Sequence, residues 1–267
     1  MKLTVQNLNS LSQICEALAE FDKPIEGLML ASLRERGFSP ARGRASSCLG
    51  WVWCQWLNGE SNSDVHKRVE AFVERGMEMQ ESTPLFYMRP YHDLLLLHCA
   101  IFASREAQLT KVAKKVVDAS GYQKYKPLND GELYASAWCG LFKYWILGDL
   151  KKAEEQSHLI WDAYQPPHFK ASAKPLAIAW LKGDWDAFAK AQLKTFDRLW
   201  NRSRKDGAVV SEKKQATVVD IRKVSSIEQL WCWADCGMAV LAHRRGAPVA
   251  TDPFWFPAQA LEMVPKP

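Results

Sequence analysis

Apolar residues return at helical spacing along almost the whole chain, and that period constrains the fold more than any single motif does. In DGELYASAWCGLFKYWILGD, residues 130 to 149, Tyr134, Trp138, Leu141 and Trp145 recur at i, i+4, i+7 and i+11, which is one face of a helix. Phe188, Ala191, Thr195, Phe196, Leu199 and Trp200 repeat the pattern further on, and the alternation expected of strands is almost absent.

The helical runs are punctuated in one recurring way. ILGDLKKA at 146–153 and LKGDWDAF at 181–188 both end an apolar run with Gly and follow it with Asp. Gly suits the left-handed position that closes a helix, and Asp caps the first amides of the next, so both stretches read as tight turns between antiparallel helices. Gly59 and Gly246 give weaker versions of the same joint. Gly148 and Gly183 are about one helix-pair repeat apart, but Gly59 and Gly246 do not fall on multiples of that interval.

These signals predict an all-α fold, an irregular array of antiparallel helical hairpins in a single domain of residues 1–267. About eleven helices are expected, near 8–21, 24–36, 41–58, 64–79, 91–103, 105–119, 131–147, 149–163, 171–182, 184–203 and 226–245, with a short one after Pro257. Asp130 is the expected N-cap of the helix at 131–147. Three connections, 81–90, 121–130 and 203–225, are longer than turns require, and the last has room for a short β-hairpin through GAVVS and ATVVDI.

Composition narrows the class of function. The 267 residues are 48% apolar and 24% charged, and 35 basic residues are interspersed with 30 acidic ones for a net charge of +5. No concentrated basic stripe of the kind nucleic-acid binding needs is present. The longest apolar run, LLLLHCAIFA at 94–103, is too short to span a bilayer, and no signal-peptide pattern opens the chain. Seven Cys form no C-x-x-C pair and sit within apolar helical patterns, which suits buried thiols in a reducing cytoplasm.

Nothing assembles into a familiar catalytic or cofactor motif. The six His show no H-E-x-x-H, and there is no G-x-S-x-G, no phosphate loop and no dinucleotide fingerprint, so neither a cofactor nor a metal is expected. ARGRASS at 41–47 sets Arg42 and Arg44 beside two serines, which a solvated helix start explains as well as an anion site does. His92 next to Asp93 has the residue types for acid–base work, but neighbours on a helix face different directions. Most Trp residues, including Trp138, Trp145, Trp161, Trp180 and Trp231, lie on apolar helical faces and read as core. Trp255, in TDPFWFP, is the one this pattern does not explain.

Five segments, in order, resemble the bacterial immunity protein 49 family. They are ARGRASSCLGWVWCQWL, YHDLLLLHCAIFASREAQLTKVAK, ELYASAWCGLFKYWILGD, PLAIAWLKGDWDAFAKAQLKTFDRLW and WADCGMAVLAHRRGAPVATDPFWFP, spanning residues 41 to about 257. The resemblance implies an all-helical cytoplasmic antidote, not an enzyme, encoded beside a polymorphic or contact-delivered toxin and binding that toxin tightly. No catalytic motif of the family carries over to numbered positions here.

The expected partner is therefore a cognate protein toxin, with neither nucleic acid nor membrane involved. Aromatic and Arg residues dominate interface energetics, which selects Tyr87, Arg89, Tyr91 and His92 in one loop region, with Arg202, Arg204 and Trp255 elsewhere, as the partner-binding candidates. Two other readings compete. A helical-repeat adaptor or chaperone would need a concave groove lined by successive hairpins, and an enzyme would need a polar pocket at His92 or at Arg42 and Arg44.

Overall fold

The structure, a computed structural model, describes residues 2–19, 40–59, 62–82, 90–125, 127–162, 167–213, 216–221, 233–262 and 264. The helix expected at 24–36 and the start of the one expected at 226–245 lie outside these residues. In chain order the elements are β1 (Lys2–Gln6), α1 (Leu8–Ala19), α2 (Pro40–Asn58), α3 (Asn62–Ser82), α4 (Pro90–Ala103), α5 (Glu106–Lys115), α6 (Ala119–Gln123), α7 (Asp130–Ile146), α8 (Leu150–Asp162), α9 (Pro167–Lys182), α10 (Trp185–Lys205), β2 (Val209–Lys213), β3 (Ala216–Asp220), α11 (Trp233–Arg244) and α12 (Gln259–Glu262). The chain is mostly helical, as its periodicity predicts, with one small sheet.

The Gly-Asp joints form through local backbone chemistry. Gly148 and Gly183 take φ of +80° and +68°, a region that costs a residue with a Cβ about 1–2 kcal/mol. Each follows a helix whose last carbonyls are then satisfied by the turn. The amide of Asp149 donates to Tyr144 O at 2.9 Å and that of Gly148 to Trp145 O at 3.1 Å, with matching bonds from Asp184 to Ala179 and from Gly183 to Trp180. Asp149 and Asp184 then accept from Lys152 N at 3.2 Å and Ala187 N at 3.0 Å, which starts the next helix. The same closure ends α10 at Gly207 and α11 at Gly246. At α7 the cap is Asn129 instead of Asp130, because Asn129 and Glu132 form a reciprocal capping box.

At the centre lies α4, buried at every position but Tyr91, as expected of a helix that is apolar all round. It packs against α2, α3, α5, α7 and α11. Beside it, α7 and α8 approach so closely that a Cβ on Gly140 would come within 2.5 Å of Gln156 Oε1. The run LLLLHCAIFA is thus a core helix, and no helix among the described residues is long and apolar enough to cross a membrane.

The helix expected at 105–119 stops at Lys115, and tertiary contacts explain why. Val116 is extended, with ψ of 149°, and its carbonyl accepts from Lys143 Nζ at 2.7 Å. Asp93 Oδ2 accepts from Val117 N at 2.8 Å and from the Tyr122 hydroxyl at 3.0 Å. Asp118 caps α6 through Gly121 N at 2.8 Å while accepting from the Tyr144 hydroxyl at 2.7 Å. Asp93 from α4 and Lys143 from α7 thus satisfy backbone groups that the break frees, Asp118 supplies the new cap, and the Tyr122 and Tyr144 hydroxyls hold the two carboxylates in place.

The hairpin expected after α10 is present as β2 and β3, paired antiparallel. What periodicity misses is β1, which pairs parallel to β3, Lys2 opposite Ala216 through Gln6 opposite Asp220, for a strand order of β1-β3-β2. Five residues of alternating Leu3 and Val5 are too short a signal to stand out in a helical chain. Asn7, at φ +64°, turns the chain from β1 into α1 and donates to Asp220 Oδ1 at 3.1 Å.

Candidate partner-binding site

Three helix faces meet in a polar cleft of about 410 Å³. From α1 come Asn9, Ser12, Gln13 and Glu16, at i, i+3, i+4 and i+7, and from α2 come Trp51, Gln55 and Asn58 at i, i+4 and i+7. Asp64, Val65 and Arg68 complete it from the first turns of α3. The apolar stripe of α1, including Leu8 and Cys15, packs on the core, so the stripe beside it is left facing the cleft.

Internal bonds fix the cleft walls. Gln55 Nε2 donates to Ser12 Oγ at 2.7 Å, and Asn58 Nδ2 reaches Asn9 Oδ1 at 3.4 Å. Arg68 pairs with Glu16 and places its guanidinium 5.2 Å from the Trp51 ring centroid, so a charge pair from α1 and α3 lies over an indole from α2. Asp64 pairs with Lys67 at 3.7 Å, with both side chains mostly exposed. A second cavity of about 480 Å³ adjoins this one through Asn58 and has a mixed lining, with Leu3, Val5 and Leu57 beside Thr251, Asp252 and Gln259.

The residues selected from sequence fall on separate elements. Tyr87 and Arg89 lie outside the described residues. Tyr91 and His92 stand on the first turn of α4, with Tyr91 half-buried and His92 8% exposed. Asp93, wholly buried, holds Val117 and Tyr122, so its role beside His92 is to fasten the break after α5. Arg202 pairs with Asp206 at 3.5 Å, and Arg204 with Glu212 at 2.7 Å, both half-exposed near the end of α10. The side chains of Arg42 and Arg44 lie outside what the structure describes.

Trp255 is corrected by the structure: it is 3% exposed and belongs to the core, not to a surface a partner could reach. Its ring packs edge-on against Trp200 and Phe254, while Trp53 Nε1 donates to Phe254 O at 2.7 Å and Trp200 Nε1 to Asp252 Oδ2 at 2.8 Å. Asp252 Oδ1 accepts from the amides of Phe254 and Trp255, so TDPFWFP is a built turn that closes the core. Two prolines in sequence gave no hint that an aromatic between them would be covered.

Sequence reasoning passed over the cleft because its signal is a polar stripe on an otherwise ordinary amphipathic helix. The only marked oddity is Gln55, with Asn58 one turn on, in the apolar run WVWCQWLN. Six of the seven thiols read as buried are so: Cys15, Cys48, Cys54, Cys99, Cys139 and Cys236 are free and covered, Cys232 lies outside the described residues, and burial pushes the Cys15 thiol up to about 12. Among the described residues, no three His, Cys, Asp or Glu side chains are grouped to hold a metal ion. No family model matches the chain, and neither a curated protein nor a solved structure is found to be similar to it.

Proposed function

We propose that this chain is an immunity protein that neutralises a cognate bacterial toxin in the cytoplasm by stoichiometric binding, as its resemblance to the immunity protein 49 family implies. The observation that carries the reading is the polar cleft, which three packed helices line with an Arg, a Trp, two carboxylates and several side-chain amides, of which Arg68 with Glu16, Gln55 with Ser12 and Asn58 with Asn9 are held by internal bonds. Recognition surfaces rely on Arg and Trp anchors, and groups already held in place lose little freedom when a partner docks. Arg202 and Arg204, held by Asp206 and Glu212, offer a second ordered basic edge.

Affinity purification of the tagged chain from its own cells, followed by mass spectrometry, tests this. A single stoichiometric partner carrying a toxin domain and encoded next door is the expected result, and co-expression of the chain should rescue growth of a host making that toxin. Recovery of housekeeping proteins alone, with the neighbouring gene product expressed but absent, would overturn it in favour of an adaptor.

A further inference from the structure

We infer that the outer edge of β1 docks an extended segment of the protein partner, which adds a fourth strand to the sheet and carries β-branched side chains into the adjoining cavity. The first ground is a contrast between the two edges of one sheet. At one edge β2 is guarded as edge strands usually are: its register shifts at Val210, and the charged Glu212 and Lys213 follow, with Glu212 paired to Arg204. At the other edge β1 runs in unbroken register from Lys2 to Gln6, with Lys2 as its one charge. Among the described residues, the backbone of β1 is bonded to β3 alone. A strand directs alternate amides and carbonyls to either side, so the outward groups of β1 form a row of donors and acceptors that another extended backbone satisfies.

The second ground is that the buried face of the sheet stops short at β1. Leu3 lies opposite Thr217 and Val5 opposite Val219, all four on one face. Thr217 and Val219 are 1% and 0% exposed, whereas Leu3 and Val5 are half-buried. Leu3 and Val5 instead border the cavity of about 480 Å³, with Leu57 from the end of α2 and Thr251 and Ala258 beyond. A strand laid along β1 turns every second side chain to this face, so its inward residues fill the cavity and cover Leu3 and Val5. The mixed lining suits Val and Thr, the types that β3 itself buries on this face.

The occupant is a lone extended segment instead of a second copy. Antiparallel pairing of β1 with β1 of a copy places both copies' cavity rims, α2 and the turn at 251–259, on the same face beside the shared edge, where rim meets rim. A single strand brings no rim of its own. That the segment belongs to a toxin rests on the antidote reading, whereas the open edge does not.

A peptide that copies the strand already paired with β1 tests the edge without a partner. In the full chain labelled with nitrogen-15, acetyl-QATVVDIR-amide should shift the amide signals of residues 3–6 saturably, with a dissociation constant on the order of 1 mM, and slow the hydrogen exchange of alternate amides there. Acetyl-QAPVPDIR-amide, which lacks two of the ladder donors, should leave them in place. Ala258→Trp, filling the cavity from an exposed position, should weaken peptide binding about tenfold at an unchanged denaturation midpoint.

Absence of saturable shifts, shifts centred on β2, equal shifts with the proline peptide or undiminished binding by the Ala258→Trp variant would each overturn the inference. So would outward β1 amides already protected in the free chain, whether by another part of the chain or by a dimer seen in sedimentation. If the peptide binds and purification yields no toxin, the edge stands and the antidote reading falls. If a toxin complex forms in which β1 amides exchange as they do in the free chain, the antidote reading stands and this inference falls.

Discussion

Arg244 and Arg245 are adjacent and do different work. The Arg244 side chain is 9% exposed and donates from Nε and Nη2 to Ile101 O and from Nη2 to Ser104 O, which satisfies carbonyls at the end of α4 from the end of α11. Burial holds its guanidinium below the usual arginine range, with Glu106 at 3.8 Å opposing that shift. Arg245 lies on the surface, 3.6 Å from the centroid of Trp145, which also stacks on Trp180 at 4.3 Å, and donates from Nη2 to Trp145 O at 3.4 Å. Arg244→Met should cost about 3 kcal/mol by leaving two carbonyls without their donor, and Arg245→Met about 1 kcal/mol by losing a cation–aromatic contact and one long bond to Trp145 O, a carbonyl that the Gly148 amide also serves. Urea midpoints of the two variants check the order, and an equal loss would count against this division. In sequence the pair was visible only as RRG.

Elements in this chain begin and end by rules that act over a few residues, which is why their limits were largely legible. The Gly-Asp joints at 148–149 and 183–184 are where the sequence places them, and the antiparallel hairpin after α10 falls on GAVVS and ATVVDI. A Cβ at Gly148 would meet nothing within 4 Å, so Gly148→Ala isolates the cost of the left-handed backbone at about 1 kcal/mol. The expected readout is a lower denaturation midpoint at unchanged m-value, and an unaltered midpoint would mean that the α7–α8 joint tolerates another turn type. At the break within the helix expected at 105–119, distant side chains were responsible. Asp93, Lys143 and Tyr144 end α5 early, and no residue between 105 and 119 announces them.

Over the whole molecule, contacts between the two ends of the sequence hold the array together. β1 lies beside β3 across more than two hundred positions, and Trp53 Nε1 donates to Phe254 O across 201. Trp53→Phe keeps most of the ring but leaves that carbonyl without its donor, so stability should fall by about 2 kcal/mol. Near-UV circular dichroism should report a loosened cluster of Trp53, Trp200 and Phe254, and an unchanged spectrum and midpoint would show that the turn at Asp252 closes the core unaided.

What the sequence by itself determined is the class of fold, the joints and most of the core, because helical period, caps and glycine turns depend on residues a few positions apart. What only the tertiary structure decided is which faces meet. Glu16 and Arg68 pair across 52 positions and Gln55 and Ser12 across 43, so the polar cleft exists only once α1, α2 and α3 are packed. The burial of Trp255 is of the same kind, since an exposed and a covered aromatic have the same local sequence and differ only in what the rest of the chain brings against them.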